Sequence, residues 1–487
     1  MTSKTILLIT PPYHCGVVEV AGRWMPLGLL YLAGAARKAG WTPLLYDAMT
    51  KDHDHATIRE ELARIKPDCV AITAITATYP DALEVLRTAR DLNPAVITLM
   101  GGVHPTFMYE EVLSQSSDLV DYCIRGEGED TLTQLLPCLA EGKEPHDVPG
   151  LAFERDGEIV VTPERPFMLD LDQPVASWDL VDWDDYRYFV IPNSRLAVVS
   201  TARGCSFSCT FCSQQKFYKQ TWRGRDPARS ADEILGLWRQ HGVNVFLIAD
   251  EYPTSSKERW LEFLERLIAA KFDGYLLMET RAPDIVRDAD ILSRYRKAGV
   301  VHVYVGLEAT DQVTLDAVKK ELNVDESKEA LKLLYAHGIV SETSFVLGFP
   351  WDTEASIQTT LDLARSYDPD FGHFLTITPW PYADIYEELK PHIEEWDYRH
   401  YNLVDPIVRP IAMTLAEVDK ALMDCYRRFY MGKLKAFDED PDPFRKRYML
   451  TGMHLMMRSS FLKQKMGTLG RIPYEVERML RSLKSKM

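Results

Sequence analysis

Cys205, Cys209 and Cys212 fall within eight positions, in the stretch TARGCSFSCTFCSQQ (201–215), of a chain that holds only eight cysteines. Thiols packed this closely serve a metal, a disulfide or nothing. Zinc prefers four ligands, and a C-x3-C-x2-C spacing offers three with no evident fourth. A disulfide would leave one thiol over and would make little sense among scattered cysteines, whose usage reads as reduced thiols in the cytosol. A cubane iron–sulfur cluster normally takes four thiolates, so three would hold three irons and leave the fourth open to a small molecule. The triplet therefore predicts an open-site 4Fe-4S cluster, with accidental clustering as the bland alternative.

A cluster of this kind needs a rigid rim, and the chain supplies one. From residue 196 short apolar runs alternate with helical patterns: LAVVST, VNVFLIAD, GYLLMET, VHVYVGLE, ETSFVLGF and GHFLTITPW. Six βα units predict a partial (β/α)6 barrel over 196–395, with chemistry at the C-terminal strand ends, and the cysteines follow its first strand. Residues 1–142 carry five earlier units, TILLIT, TPLLYDAM, CVAITAIT, AVITLMGG and LVDYCIRG, which predict an α/β doubly wound parallel sheet. Its strand ends offer Thr10, Pro11, Asp47, Thr73, Thr76, Gly101, Gly102 and Gly126, small or polar residues suited to close approach by a ligand. Residues 143–195 read as a linker with a small β element, a hairpin on the Asp156-Gly157 turn. Residues 396–487 read as a C-terminal helical region, and 445–487 carry eleven Lys/Arg against Glu475 and Glu477.

Bulk properties limit the partners. A formal net charge of -16 argues against nucleic acid as a main partner. No run of about 18 apolar residues is present to span a membrane, and the N-terminal MTSKTILLITPPYH reads as a strand rather than a signal peptide. A cytoplasmic location is the resulting expectation. The basic, Met-rich tail is a candidate for peripheral membrane contact, although Met residues more commonly fill gaps in a core.

The C-x3-C-x-aromatic-C motif after a first barrel strand resembles the signature of radical S-adenosylmethionine enzymes. That resemblance implies S-adenosylmethionine chelating the open iron and yielding a deoxyadenosyl radical on one-electron reduction. It also assigns Phe211, Asp250 and Glu251 of IADEYP, Arg281 of ETR, and Glu308 of GLEATD to S-adenosylmethionine. The N-terminal unit resembles the cobalamin-binding domain of the cobalamin-dependent branch, through GGVHPTF (101–107) and RGEGEDTL (125–132), which adds His104 and Glu127 to the cobalamin set. A D-x-H-x-x-G loop is missing and His14, His53 and His55 do not restore it, so the resemblance implies cobalamin without a protein histidine on cobalt.

A wider resemblance covers almost the whole chain. VAGRWMPLGLLYLAGAARKAG, DAMT, ADEYPT, TPWPYADIYEEL, YNLVDPIVRP and YRRFYM are similar to the anaerobic magnesium-protoporphyrin IX monomethyl ester oxidative cyclase family. This implies oxidative closure of an isocyclic ring for bacteriochlorophyll, with cobalamin assistance and water as oxygen source. It also implies a tetrapyrrole substrate walled by Trp380 and Tyr382, and an electron donor such as flavodoxin or ferredoxin. The chain departs from the family's pattern at PPYHCG and stops somewhat early at the C-terminus. A cobalamin-dependent radical methyltransferase acting on an unactivated carbon is the alternative with the same domains.

Overall fold

A computed structural model describes residues 4–13, 20–173, 175–307 and 312–458. The strands Thr5–Thr10 (β1), Thr42–Asp47 (β2), Cys69–Thr73 (β3), Ile97–Gly101 (β4) and Tyr122–Ile124 (β5) are parallel, in the spatial order β2-β1-β3-β4-β5. Their continuous apolar runs fit a sheet covered on both faces, and Ile6, Leu7, Leu8 and Ile9 are wholly buried. In this strand order the sheet reverses direction between β1 and β3, and ligands of such folds bind beyond the strand C-termini at that point.

Two further strands, Leu151–Arg155 (β6) and Glu158–Val161 (β7), pair antiparallel, and β6 also pairs with β5. Asp156 and Gly157 at the turn both have positive φ, 53° and 83°, as a two-residue hairpin turn of matching twist requires. The hairpin thus extends the first sheet instead of forming a separate element in the connecting segment.

The second sheet begins with Leu196–Val199 (β8). Two short strands, Ala202–Gly204 (β9) and Trp222–Gly224 (β10), then pair antiparallel and bracket the three cysteines. Val245–Ile248 (β11), Tyr275–Thr280 (β12), Val300–Val305 (β13), Val340–Leu347 (β14) and Phe371–Thr376 (β15) complete a six-stranded parallel sheet in sequential order from β8. This is a partial barrel with helices outside.

The helix Leu415–Asp438 packs on β15, where the Tyr430 hydroxyl meets both the N–H and the carbonyl of Gly372 at 3.0 Å. The helix Pro443–Arg458 follows it and sends Tyr448 into the same core as β13 and β15. Among the described residues no helix is long and apolar enough to cross a membrane.

Candidate functional site

The cysteine loop is held at both ends. Gly204, just before Cys205, has φ +87°, and a Cβ there would sit 2.2 Å from the carbonyl oxygen of Thr221, the residue before β10. Only glycine fits that left-handed crossing. At the far end the Cys212 N–H donates to the Cys209 carbonyl at 3.1 Å, and Cys212 caps the helix Ser213–Phe217. None of the three is tied up in a disulfide, and all are half-buried. Burial pushes the Cys212 thiol up to about 11, opposed by the backbone N–H groups of Gln214 and Gln215, and it raises Cys205 as well.

Among the described residues no three His, Cys, Asp or Glu side chains converge on a point that would hold a single metal ion. Three reduced cysteines spread along one short, fixed loop instead suit a multi-iron cluster, whose cysteines bind separate irons.

The acids beside this loop divide in two. Asp250 is buried and turned back onto the end of β8, accepting from the Thr201 N–H at 2.8 Å and the Thr201 hydroxyl at 2.5 Å. Burial raises its pKa, and the Thr201 contacts oppose that. Glu251 accepts from the Gly204 N–H at 3.2 Å, and burial lifts its pKa to about 7 against the backbone contacts that oppose it. A carboxylate raised by desolvation beside the cluster loop is poised to receive an ammonium group, which would stabilise its charged form. Arg281, at the end of β12, lies 3.2 Å over the Phe207 ring and donates to the carbonyls of Lys320 and Glu321. Phe211 is half-buried against the apolar cluster of Phe349, Ile377 and Ala383. Glu308 lies outside the described residues, as does His14.

The first sheet presents its C-terminal strand ends to this rim. Thr76 is central: its hydroxyl lies 3.2 Å from His104 Nδ1 and 3.2 Å from the Tyr382 hydroxyl. Tyr382 stacks on Phe107 at 4.9 Å, so the segment after β15 meets the segment after β4. Trp380 is half-buried in the same apolar cluster as Phe211. His104 is fully buried, stacked on Tyr79 at 4.3 Å, and burial lowers its pKa to about 3. It is therefore a neutral imidazole.

Gly102 has φ +106°, and a Cβ there would lie 2.5 Å from the Ala74 carbonyl. Gly101 and Thr73 are half-buried and Pro11 is buried at neighbouring strand ends, and Gly126 has open space where a Cβ would be. Glycine at 102 is thus demanded by the chain's own backbone, and of these glycines Gly126 is the one with open space beside it.

Three residues of the expected cobalamin set are engaged elsewhere. Thr10 donates to Asp47 at 2.8 Å, and Asp47 also accepts from Tyr186 at 3.0 Å, a buried tie to the connecting segment. Glu127 accepts from Arg223 at 2.7 Å and Arg203 at 3.1 Å, while Arg203 also pairs with Glu129 at 2.7 Å. Arg203 lies on β9, two residues before Cys205, so this ion cluster fastens the cysteine loop to the first sheet. Arg203, Arg223 and Glu129 escape a reading of local patterns, because the pairing joins residues more than seventy positions apart.

Residues 13–136 match the B12 binding domain family, and residues 199–364 match the Radical SAM superfamily. The anaerobic magnesium-protoporphyrin IX monomethyl ester cyclase of Rubrivivax gelatinosus is 39% identical over 477 residues, covering 96% of this chain and 85% of the relative. An uncharacterized methyltransferase of Pyrococcus horikoshii is 30% identical over 436 residues, covering 88% and 93%. The solved structure of the cobalamin-dependent S-adenosylmethionine radical enzyme OxsB, with aqua-cobalamin and S-adenosylmethionine bound, shares the fold. Its TM-score is 0.71 over 94% of this chain and 72% of that one, at 17% identity.

Proposed function

The chain belongs to the anaerobic magnesium-protoporphyrin IX monomethyl ester cyclase family of cobalamin-dependent radical S-adenosylmethionine enzymes, and from that membership we infer that it closes the isocyclic ring of this porphyrin without dioxygen. The observation that carries the reading is the 39% identity to the Rubrivivax gelatinosus cyclase along 96% of the chain. When bound, the 4Fe-4S cluster and S-adenosylmethionine supply a deoxyadenosyl radical for hydrogen abstraction from the propionate methyl ester arm, and cobalamin supplies redox assistance. Water provides the keto oxygen.

The chain's own residues have separable tasks. Cys205, Cys209 and Cys212 hold the cluster, and Glu251 receives the methionine ammonium. Asp250 fixes the end of β8 through Thr201. Phe211 and Arg281 line the S-adenosylmethionine side together with Glu308. Thr73, Thr76, Gly101, Gly102 and Gly126 bound the cobalamin side. Trp380 and Tyr382 wall the substrate slot, where a flat macrocycle needs apolar surface with few polar groups. A small electron-transfer protein such as flavodoxin or ferredoxin reduces the cluster, while Met449, Met453, Met456 and Met457 of the basic segment are buried in the core beside the barrel.

The second reading, a cobalamin-dependent radical methyltransferase, is favoured by the Pyrococcus horikoshii relative. Anaerobic turnover of the reconstituted protein with magnesium-protoporphyrin monomethyl ester separates the two. The cyclase reading expects a ring-closed product and deoxyadenosine without matching S-adenosylhomocysteine. Stoichiometric S-adenosylhomocysteine with a methylated product would replace it with the methyltransferase reading.

A further inference from the structure

The short connection after β3 holds one apolar side chain out of the core. Ala74 and Thr76 are wholly buried, and Ile75 between them is 49% exposed. The chain is extended there, with φ -92° and ψ 170° at Ile75, so successive side chains point to opposite sides. Its backbone is fixed by neighbours on both flanks. The Ala74 N–H donates to the Gly101 carbonyl at 2.8 Å, and the Ala74 carbonyl accepts from the His104 N–H at 3.2 Å. The Ile75 N–H donates to the Thr78 hydroxyl at 3.0 Å. A lone exposed isoleucine is ordinary on a protein surface. This one is held rigidly two residues beyond β3, at the reversal of the sheet where ligands of such folds bind.

The bases around Ile75 are committed elsewhere. His104 is wholly buried, with the Tyr79 ring stacked on it at 4.3 Å and the Tyr398 ring edge-on at 5.3 Å. Its Nδ1 meets the Thr76 hydroxyl at 3.2 Å, and that hydroxyl also meets Tyr382. Asp47 is buried and holds Thr10 and Tyr186. Glu127 is held by Arg203 and Arg223. The nitrogen and carboxylate bases of the expected cobalamin set are thus all turned into the protein's own contacts. Of the other two histidines near these strand ends, His53 Nδ1 meets the Tyr46 hydroxyl at 2.7 Å and His55 Nε2 meets Asp81 at 3.1 Å. What the connection after β3 presents instead is an aliphatic side chain, with the half-buried Thr73 and Gly101 beside it.

We propose that Ile75 covers the sheet-side face of the cobalt in bound cobalamin. A corrin is a flat macrocycle that leaves two axial positions on its metal, and one of them faces the strand ends on which the ring lies. An isoleucine at that position has no lone pair to give and keeps water away, so the metal takes no donor atom from this side. Cobalt(I) carries an electron pair along the same axis and rejects a ligand there, so withholding one favours the reduced metal. The identity of an axial ligand sets the potential of other macrocycle-bound metals in the same way. The inference rests on cobalamin lying over the first sheet. It goes beyond the lack of a histidine ligand by naming the side chain that takes the ligand's place.

The test is electron paramagnetic resonance of the full-length protein reconstituted anaerobically with cob(II)alamin, as wild type, Ile75→His and Ile75→Ala. Each is prepared with and without 15N-histidine, and gel filtration first reads the cobalamin retained. The wild type should retain cobalamin and show no nitrogen splitting on the cobalt lines. Ile75→His should bring an imidazole to the metal, so nitrogen splitting appears, changes its pattern with 15N-histidine, and reduction to cob(I)alamin moves to lower potential. Ile75→Ala should admit water, read as a fall in g anisotropy and in cobalt hyperfine coupling. Nitrogen splitting in the wild type would overturn the inference, whether a histidine supplies it, His14 included, or the cofactor's own base. Spectra unchanged from wild type in both variants, with cobalamin retained, would overturn it as well. A wild type that retains no cobalamin overturns the cobalamin reading of the first sheet and this inference together.

Discussion

Replacing Arg203 with methionine tests how the cysteine loop is fastened. The Arg203 side chain is 12% exposed, and its partners Glu127 and Glu129 are 7% and 8% exposed. Glu127 keeps Arg223 at 2.7 Å, but among the described residues Glu129 has no other ion-pair partner. The variant therefore leaves one buried carboxylate uncompensated. Breaking a buried pair from one side costs about 3–5 kcal/mol, and the retained Arg223 contact places the expectation near the lower figure. That is about a hundredfold in the folding equilibrium at 1.4 kcal/mol per decade.

Urea unfolding of the cofactor-free protein at pH 7, followed by near-ultraviolet circular dichroism, reads the change. Adding Glu129→Gln to Arg203→Met should recover about 1–2 kcal/mol, because a neutral amide is far cheaper to bury alone than a carboxylate. A loss below about 1 kcal/mol for Arg203→Met, or a double variant no more stable than the single one, would refute this account of the interface.

Three other outcomes follow from the same geometry. Gly204→Ala forces a Cβ to 2.2 Å from the Thr221 carbonyl at φ +87°, so it should cost about 1–3 kcal/mol of local strain and lower the iron content after reconstitution. Arg203 and Arg223 hold the Glu127 carboxyl below its ordinary value despite the opposing burial. Its contribution is thus present at neutral pH and lost as pH falls through the depressed folded value, so Glu127→Gln should narrow the gap to wild type in acid, read as melting temperature against pH. Glu251 shifts the other way, to about 7. Between the unfolded value and that folded value the folded state binds more protons, so the cofactor-free protein loses stability as pH rises across this window. Glu251→Gln should therefore be more stable than wild type at pH 8, by about 1–2 kcal/mol once solvent screening of a partly exposed group is allowed for, and equal to it near pH 4.

Much of the architecture was legible because it depends on local pattern. TILLIT coincides with β1, GYLLMET contains β12, and the Asp156-Gly157 signal marks the turn that the structure contains. Parallel strands buried on both faces announce themselves as apolar runs, and helices between them carry their own period. The short strands β9 and β10 were missed, since three residues of ARG and WRG carry no periodicity.

Candidate site residues separated by the same logic. The cysteines are a local motif, whereas the engagement of Glu127 by Arg203 and Arg223, or of Asp47 by Tyr186, exists only once the sheets are docked. An ion cluster low in the barrel, where His302 and His373 both pair with Glu342, did leave a trace. VHVYV, SETSF and GHF each put one histidine or carboxylate inside a buried strand, which is costly unless it is paired. No single strand reveals that the three are neighbours, because their register is fixed by the sheet.

The most direct measurement uses magnesium-protoporphyrin monomethyl ester deuterated along the methyl-esterified propionate arm, with the reconstituted enzyme under strict anaerobiosis. The account predicts deuterium in the deoxyadenosine together with the ring-closed porphyrin. Ring-closed or methylated product formed while the deoxyadenosine stays free of deuterium would contradict it.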